Sequence, residues 1–239
     1  MIQNKICVII PVYNNEERLA SVIDNVLLFM QDVIVVNDGS TDRTQNIINR
    51  YSNITSISYN RNRGKGYALR QGFKKALSMG FGYAITFDAD GQHYGKDLPY
   101  FRKAIAEHPN AMIIGCRNLN QPNMPSRNSF ANKFSNFWFL VQTGQRLADT
   151  QTGFRLYPLR LKHFLPLTSR YEAELELLVR AAWRNIPLIQ IPVSVHYDDE
   201  RVTHFRPTKD FLRISLLNGV LCLLAVVYGY PSKFLRSKS

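Results

Sequence analysis

Cysteine is scarce in this 239-residue chain, and the three that occur follow no recognisable pattern. Cys7, Cys116 and Cys222 are odd in number, far apart and without metal-ligand spacing, which argues against a disulfide framework and a zinc site. Residues 1–5 run directly into a predicted strand and lack the pattern of a secretory signal peptide. We therefore expect a reduced, cytosolic environment.

Acidic side chains are also few, since 18 Asp and Glu stand against 30 Lys and Arg and give a formal net charge of +12. An excess of this size predicts an anionic partner, such as nucleotide phosphates, an anionic membrane surface or nucleic acid. The hydrophobic content of 45% is that of an ordinary globular protein. The length fits one large α/β domain with a modest appendage.

Long apolar runs are rare too, and the clearest one lies at residues 214–230, followed by a basic tail. Its length is close to the lower limit of about 17 residues for crossing a bilayer. A core helix and a membrane-associated helix both fit this composition. We interpret residues 211–239 as a membrane-associating segment, peripheral or monotopic, that follows a main domain at residues 1–210.

Strand and helix patterns alternate through the first 115 residues. Predicted strands lie at residues 5–12, 33–36, 54–59, 83–87 and 111–115, and predicted helices at residues 16–30, 41–51, 67–78 and 97–107. Such alternation is typical of a doubly wound α/β fold with a mostly parallel sheet and right-handed crossovers.

Two later segments have helical patterns with distinctive side chains. In residues 121–145 an aromatic face predicts a helix that packs on the sheet or lies in a membrane interface. That face consists of Phe130, Phe134, Phe137, Trp138 and Val141. Further on, Glu172, Glu174 and Glu176 predict a solvated helix start that suits the helix dipole, and the alternative is that one of them faces the acceptor site.

Polar turns follow three of the predicted strands, and the third turn carries two carboxylates, Asp88 and Asp90, one residue apart. In an open α/β sheet, ligands bind beyond the carboxyl ends of the strands. Two adjacent carboxylates there repel each other unless a cation lies between them, and Mg²⁺ or Mn²⁺ prefers such oxygen ligands. The pattern therefore predicts a metal that serves a bound phosphate or diphosphate.

The other two turns supply side chains suited to a nucleotide. Tyr13 offers a ring for stacking on a base, and Glu16 and Asp38 can accept hydrogen bonds from a base or a ribose. A P-loop NTPase is excluded because no Ser or Thr follows Lys65 in the turn Arg63-Gly64-Lys65-Gly66. That turn instead predicts a donor-side loop at the start of a helix.

Five motifs together resemble glycosyltransferase family 2, a group of GT-A fold enzymes, and in particular its dolichyl-phosphate mannose synthase and polyprenyl-phosphate branch. The motifs cover about the first 155 residues of the chain and are Val8-Ile-Ile-Pro11-Val-Tyr13-Asn14, Val35-Val-Asn37-Asp38-Gly-Ser40-Thr-Asp42, Asn62-Arg63-Gly64-Lys65-Gly66, Asp88-Ala-Asp90-Gly-Gln92-His93 and Asp149-Thr-Gln-Thr-Gly153-Phe154-Arg155.

The resemblance implies a site with three groups of residues. A nucleotide-sugar donor would contact Pro11, Tyr13, Asn14, Glu16, Asp38, Lys65 and Asp88; Mg²⁺ or Mn²⁺ would be held by Asp88, Asp90 and Gln92; and an acceptor phosphate would be gripped by Arg117 and Arg127. His204 is either an ordinary loop histidine or a further phosphate contact.

The function expected from these residues is metal-dependent, inverting transfer of a hexose from GDP-mannose or a UDP-sugar to a polyprenyl phosphate at the cytoplasmic membrane face. Asp90, Arg117, Arg127 and Asp149 are the candidate catalytic residues. If the acceptor were instead a saccharide or lipid hydroxyl, a base would be needed. Asp149 is then the first candidate base, although a turn-supporting role fits it equally well. An inactive membrane-binding module is the third reading, and nucleic acid is not an expected partner.

Overall fold

One mixed sheet organises the fold in the computed structural model, which describes residues 3–118, 126–160, 165–196 and 207–232. The strands are β1 (Gln3–Val12), β2 (Val33–Asn37), β3 (Thr55–Ser58), β4 (Phe81–Thr86), β5 (Met112–Arg117), β6 (Arg155–Pro158) and β7 (Leu188–Val193). The helices are α1 (Leu19–Leu27), α2 (Thr44–Ile48), α3 (Lys65–Ser78), α4 (Leu98–Glu107), α5 (Ser126–Thr143), α6 (Glu172–Trp183) and α7 (Pro207–Leu224).

The strand order is β3-β2-β1-β4-β6-β5-β7. The predicted α/β class and mostly parallel sheet are confirmed, since β1 is parallel to both β2 and β4. The exception is β6, which the sequence patterns did not predict and which is antiparallel to β4 and β5. Because β4 and β5 both oppose β6, they run in the same direction, and their carboxyl ends reach the same edge.

Helices cover both faces of the sheet, and alternate residues of each strand point to opposite faces. On β1, Ile9 packs with Phe73 of α3 and Leu178 of α6 in one core. Its neighbour Ile10 packs with residues of α1 and α4, including Phe101, in the other core. Burial on both faces explains why these strands are continuous apolar runs in the sequence.

The aromatic helix α5 is partly a core helix and partly a surface helix. Phe139 is fully buried in the core that contains α3 and α6, whereas Phe137 and Val141 on the predicted aromatic face are exposed. Phe134 and Trp138 are half-buried between them. The side chain of Phe130 lies outside the described residues.

Helix α7 packs on α5 and α6 and continues through a π-helical turn at Ala225–Gly229. Leu221 and Ala225 face the core, and Gln142 of α5 donates to the side-chain oxygen of Asn218 at 2.9 Å. Among the described residues, Ile214–Ser232 is long and apolar enough to cross a membrane by length and composition alone.

One expectation for α6 is wrong. Glu174 and Glu176 were predicted to be solvated, but both are buried. Their neighbours in α6, including Ala173, Leu175 and Leu177, are buried as well, so this helix lies deep in the protein and not along its surface. Each buried carboxylate has a cationic partner, namely Lys65 for Glu174 and Arg180 for Glu176.

Candidate active site

The predicted donor residues come together at the edge of the sheet where β1, β2 and β4 end. Tyr13 follows β1, Asp38 follows β2, and Asp88 follows β4 after one intervening residue. These strands are parallel neighbours, so their carboxyl ends open into one crevice. The chain reverses its direction of strand addition between β1 and β4, which is the usual ligand position in such sheets.

Hydrogen bonds join the turn after β1 to both neighbouring turns. The backbone N–H of Asn14 donates to Ser40 Oγ at 2.9 Å, and Asn15 Nδ2 donates to the carbonyl oxygen of Ala89 at 2.6 Å. Glu16 accepts a bond from the backbone N–H of Arg43 at 2.6 Å. Asn14 adopts a positive φ of 45°. These hydrogen bonds therefore connect the turns after β1, β2 and β4 to one another.

Asp38 is buried and organises the loop before α3. Its carboxylate accepts bonds from the backbone N–H groups of Arg63 at 2.9 Å and Gly64 at 2.7 Å, and from Asn62 Nδ2 at 3.0 Å. These contacts place Lys65, the first residue of α3, over the site. The predicted contact of Asp38 with a base or ribose stays a prediction, while its hold on this loop is observed.

Lys65 links the Asp88 turn to α6. Its Nζ lies 2.6 Å from Asp88 Oδ1 and 3.0 Å from Glu174 Oε2. Burial by itself would raise the pKa of Asp88, but the charge of Lys65, its hydrogen bond and the neighbouring charge of Arg155 act together to lower it. At Glu174 burial prevails and raises the pKa of that carboxyl. Gly153 lies against the Asp88 carboxylate, and a Cβ at position 153 would collide with it.

Asp90 and Gln92 form a tight turn beyond Asp88. Asp90 Oδ1 accepts the backbone N–H of Gln92 at 3.1 Å, and Gly91 between them has a positive φ of 75°. His93 is buried between Phe87 and Phe154, and this burial lowers its pKa to about 4. The imidazole is therefore neutral at physiological pH.

Arg117 ends β5 at the same edge of the sheet and is held by Asp149. Its Nε and Nη2 lie 2.6 and 2.9 Å from the two oxygens of that fully buried carboxylate. Asn132 of α5 adds a hydrogen bond to Asp149 Oδ1 at 2.6 Å. Burial alone would raise the pKa of Asp149, but the bonds and charge of Arg117 hold it below its usual range.

The side chains of two predicted acceptor residues are not described. Arg127 falls within the first turn of α5, but its side chain is not described, and His204 belongs to the undescribed residues 197–206. Their assigned roles stay predictions.

Sequence reasoning missed three residues of this site. Glu174 was interpreted as a surface charge, although its apolar neighbours on both sides were a signal of burial. Arg155 was quoted only as part of a motif, yet it is fully buried and donates to the backbone oxygens of Glu174 and Thr150. Asn132 had no signal beyond being a poor helix former inside a helical pattern.

The family assignment rests on a match over much of the chain. The family described as "Glycosyl transferase family 2" matches residues 7–161, which contain the Asp88 turn, Arg117 and Asp149. The chain belongs to glycosyl transferase family 2. It is a glycosyltransferase, as its motifs predicted.

Several curated relatives of this glycosyltransferase act on dolichyl phosphate according to their names. A UDP-N-acetylglucosamine–dolichyl-phosphate N-acetylglucosaminyltransferase of Methanococcus voltae is 28% identical over 83% of this chain and 88% of its own length. The human dolichyl-phosphate β-glucosyltransferase is 29% identical over 80% of this chain and 67% of its own length. An uncharacterised protein of Methanocaldococcus jannaschii is 31% identical over 82% of this chain and 84% of its own length.

Solved structures confirm the fold of this glycosyltransferase. Glucosyl-3-phosphoglycerate synthase of Mycobacterium tuberculosis, in complex with Mn²⁺, UDP and phosphoglyceric acid, matches with a TM-score of 0.70 at 18% identity. The match covers 93% of this chain and 78% of that one. A complex of the same synthase with Mg²⁺ and UDP gives a TM-score of 0.67 at 19% identity.

Proposed function

We propose that this glycosyltransferase moves a hexose from a nucleotide-sugar to a polyprenyl phosphate, with inversion at the anomeric carbon, at the cytoplasmic face of a membrane. A phosphate oxygen of the acceptor forms the new bond to the anomeric carbon. The bond from that carbon to the β-phosphate breaks, and the nucleoside diphosphate leaves with the electron pair. The names of the dolichyl-phosphate relatives support the acceptor class.

The observation that carries this proposal is the state of Asp149. A hydroxyl acceptor needs a base, but both oxygens of Asp149 accept hydrogen bonds and its pKa is lowered, so it is poorly suited to take a proton. A phosphate acceptor is already an anion and needs cations to hold it in line. Arg117 suits that task, since the planar N–H donors of a guanidinium match the oxygens of a phosphate.

The donor is proposed to be a UDP-sugar in preference to GDP-mannose. The supporting observation is the name of the Methanococcus voltae relative, which specifies a UDP-sugar. GDP-mannose is the alternative donor and is tested in the same assay. Tyr13, Pro11, Asn14, Glu16 and Asp38 would line the nucleotide side of the crevice.

The residues after β4 fit a divalent cation. Asp88, Asp90 and Gln92 offer oxygen ligands within one turn, and no cluster of three or more His, Cys, Asp or Glu ligands occurs in the described part of the chain. That donor set suits Mg²⁺ or Mn²⁺, which is usually bound by one or two carboxylates and completed by substrate phosphates and water. When bound, the ion would stabilise negative charge on the leaving diphosphate. Lys65, already beside Asp88, would add a second positive charge there.

Membrane attachment is proposed to use the outward face of α7, within the segment 211–239. Leu216, Leu223, Val226 and Val227 on that helix are exposed, and Phe137 and Val141 of the adjoining α5 extend the apolar surface. The net charge of +12 would favour anionic lipids.

The test is transfer from labelled UDP-glucose, UDP-N-acetylglucosamine and GDP-mannose to polyprenyl phosphate or to an oligosaccharide, with Mn²⁺ or with EDTA. We expect labelled polyprenyl-phosphate product from a UDP-sugar, and no product in EDTA. Transfer to the oligosaccharide with none to polyprenyl phosphate would overturn the acceptor assignment. Full activity in EDTA would overturn the metal assignment.

A further inference from the structure

Asp149 connects three separate parts of the chain through one buried carboxylate. Arg117 at the end of β5 binds both of its oxygens, and Asn132 of α5 binds Oδ1 at 2.6 Å. The backbone N–H groups of Gln151 and Thr152 also donate to Oδ1, at 3.1 and 3.2 Å. Both Asp149 and Asn132 are fully buried.

The hydrogen bond to Asp149 explains why an asparagine is found at position 132. Asparagine is a poor residue for a helix interior, and a buried amide costs free energy unless it is hydrogen-bonded. Here the amide gives the carboxylate a donor from a rigid helix. Without it, the remaining partners of Asp149 among the described residues are its own turn and Arg117.

We infer that Asn132 is a positioning residue for acceptor binding, and that it acts on Arg117 through Asp149. The inference rests on the proposed function, in which Arg117 contacts the acceptor phosphate. A guanidinium binds phosphate well only when its planar donors face the oxygens, so a small tilt of Asp149 weakens the contact. We therefore expect loss of Asn132 to weaken acceptor binding and to leave donor binding unchanged, since Asn132 is fully buried and acts through Asp149.

Asn136 provides a matched control in the same helix. One turn after Asn132, its Nδ2 donates to the carbonyl oxygen of Ala148 at 2.8 Å, and its Oδ1 accepts the backbone N–H of Thr150 at 3.1 Å. It thus fastens α5 to the same turn by side-chain hydrogen bonds without bonding to Asp149. Loss of Asn136 should loosen the helix and leave the orientation of Arg117 unchanged.

The experiment measures the Michaelis constants for polyprenyl phosphate and for the donor. The single variants are Asn132→Ala, Asn136→Ala and Arg117→Ala, and each asparagine substitution is also combined with Arg117→Ala. We expect Asn132→Ala to raise the acceptor constant about tenfold, equal to roughly 1.4 kcal/mol, with the donor constant and kcat little changed. Arg117→Ala should raise it at least as much. Adding Asn132→Ala to Arg117→Ala should then have no further effect, because the group it positions is gone.

Several results would overturn the inference. These are an unchanged acceptor constant in Asn132→Ala, an equal rise in Asn136→Ala, or full additivity of Asn132→Ala with Arg117→Ala. Failure of the proposed function is distinguishable, since Arg117→Ala would then leave the acceptor constant unaltered. Asn132→Ser, which keeps a shorter donor, is measured in parallel and carries the same comparison if the alanine variant does not fold.

Discussion

Each carboxylate of the site has an environment that limits what it can do. The carboxylate oxygens of Asp149 and Asp38 accept hydrogen bonds from neighbouring protein groups. These two residues therefore help to hold the site in its conformation. Asp88 is balanced by Lys65. Asp90 lies in the turn beyond β4, where its Oδ1 accepts the backbone N–H of Gln92. Because it is a predicted metal ligand in that turn, Asp90 is the residue of choice for testing the metal assignment.

Replacing Asp90 by Ala should abolish turnover and leave the fold intact. The side chain is half-buried in the turn beyond the sheet and belongs to neither core, so we expect the free energy of unfolding to change by about 1 kcal/mol. Activity is measured with Mn²⁺ at increasing concentration, and stability by urea unfolding. Wild-type activity in this variant, with the metal still required, would remove Asp90 from the site.

The Asp149–Arg117 pair should contribute a pH-dependent part of the stability. The pKa of Asp149 is lowered in the folded state, so its contribution is present above the unfolded value of about 3.9 and is lost as pH falls through the folded value. In urea unfolding between pH 3 and 7, the stability difference between the wild type and Asp149→Asn should shrink below about pH 4. A difference that stays constant across this range would contradict the lowered pKa.

Among the elements, β6 lies beside the site, and α7 packs on α5 and α6, which carry Asn132 and Glu174. β6 places Gly153 and Phe154 beside the Asp88 turn because its first residue, Arg155, pairs with Thr86 at the end of β4. Helix α7 closes one side of α5 and α6 through Asn218, Leu221 and Ala225. The helix that carries the proposed membrane surface is therefore also part of the core.

Two identical substitutions in the C-terminal helix should have opposite effects. A Cβ at Gly219 would meet nothing within 4 Å, so Gly219→Ala should stabilise the protein by about 0.5–1 kcal/mol. A Cβ at Gly229 would lie 2.5 Å from Nε1 of Trp183, so Gly229→Ala should destabilise it by about 1–3 kcal/mol. Thermal unfolding of both variants measures this. Equal shifts would show that the helix is not docked on Trp183.

At the scale of the whole molecule, charge and apolar surface are expected to cooperate. The net charge of +12 would draw the protein to an anionic surface, and the outward side chains of α7 would enter the interface. The site edge formed by β4 and β5 would then receive an acceptor whose phosphate stays at the level of the lipid head groups.

Val227→Glu should weaken binding to vesicles containing phosphatidylglycerol by about tenfold, since burying a side chain of this size contributes roughly 1.5 kcal/mol. Leu28→Glu is the control, because Leu28 at the end of α1 is equally exposed, each at 77%, but belongs to the opposite face of the sheet. Binding is measured by co-sedimentation at low and high salt. An equal loss in both variants would exclude α7 as the docking surface.

The sequence by itself determined the α/β class, the parallel strands β1, β2 and β4, the turns after them and the family. These features can be predicted from short segments of sequence, because a buried strand is a continuous apolar run and the residues that form its terminal turn follow it directly. Only the tertiary structure decided the antiparallel β6, the burial of Glu174, and the joining of Arg117, Asn132 and Asp149. Those features depend on contacts between residues far apart in the chain, which form only when the sheet and helices pack together. Local sequence patterns do not predict such contacts.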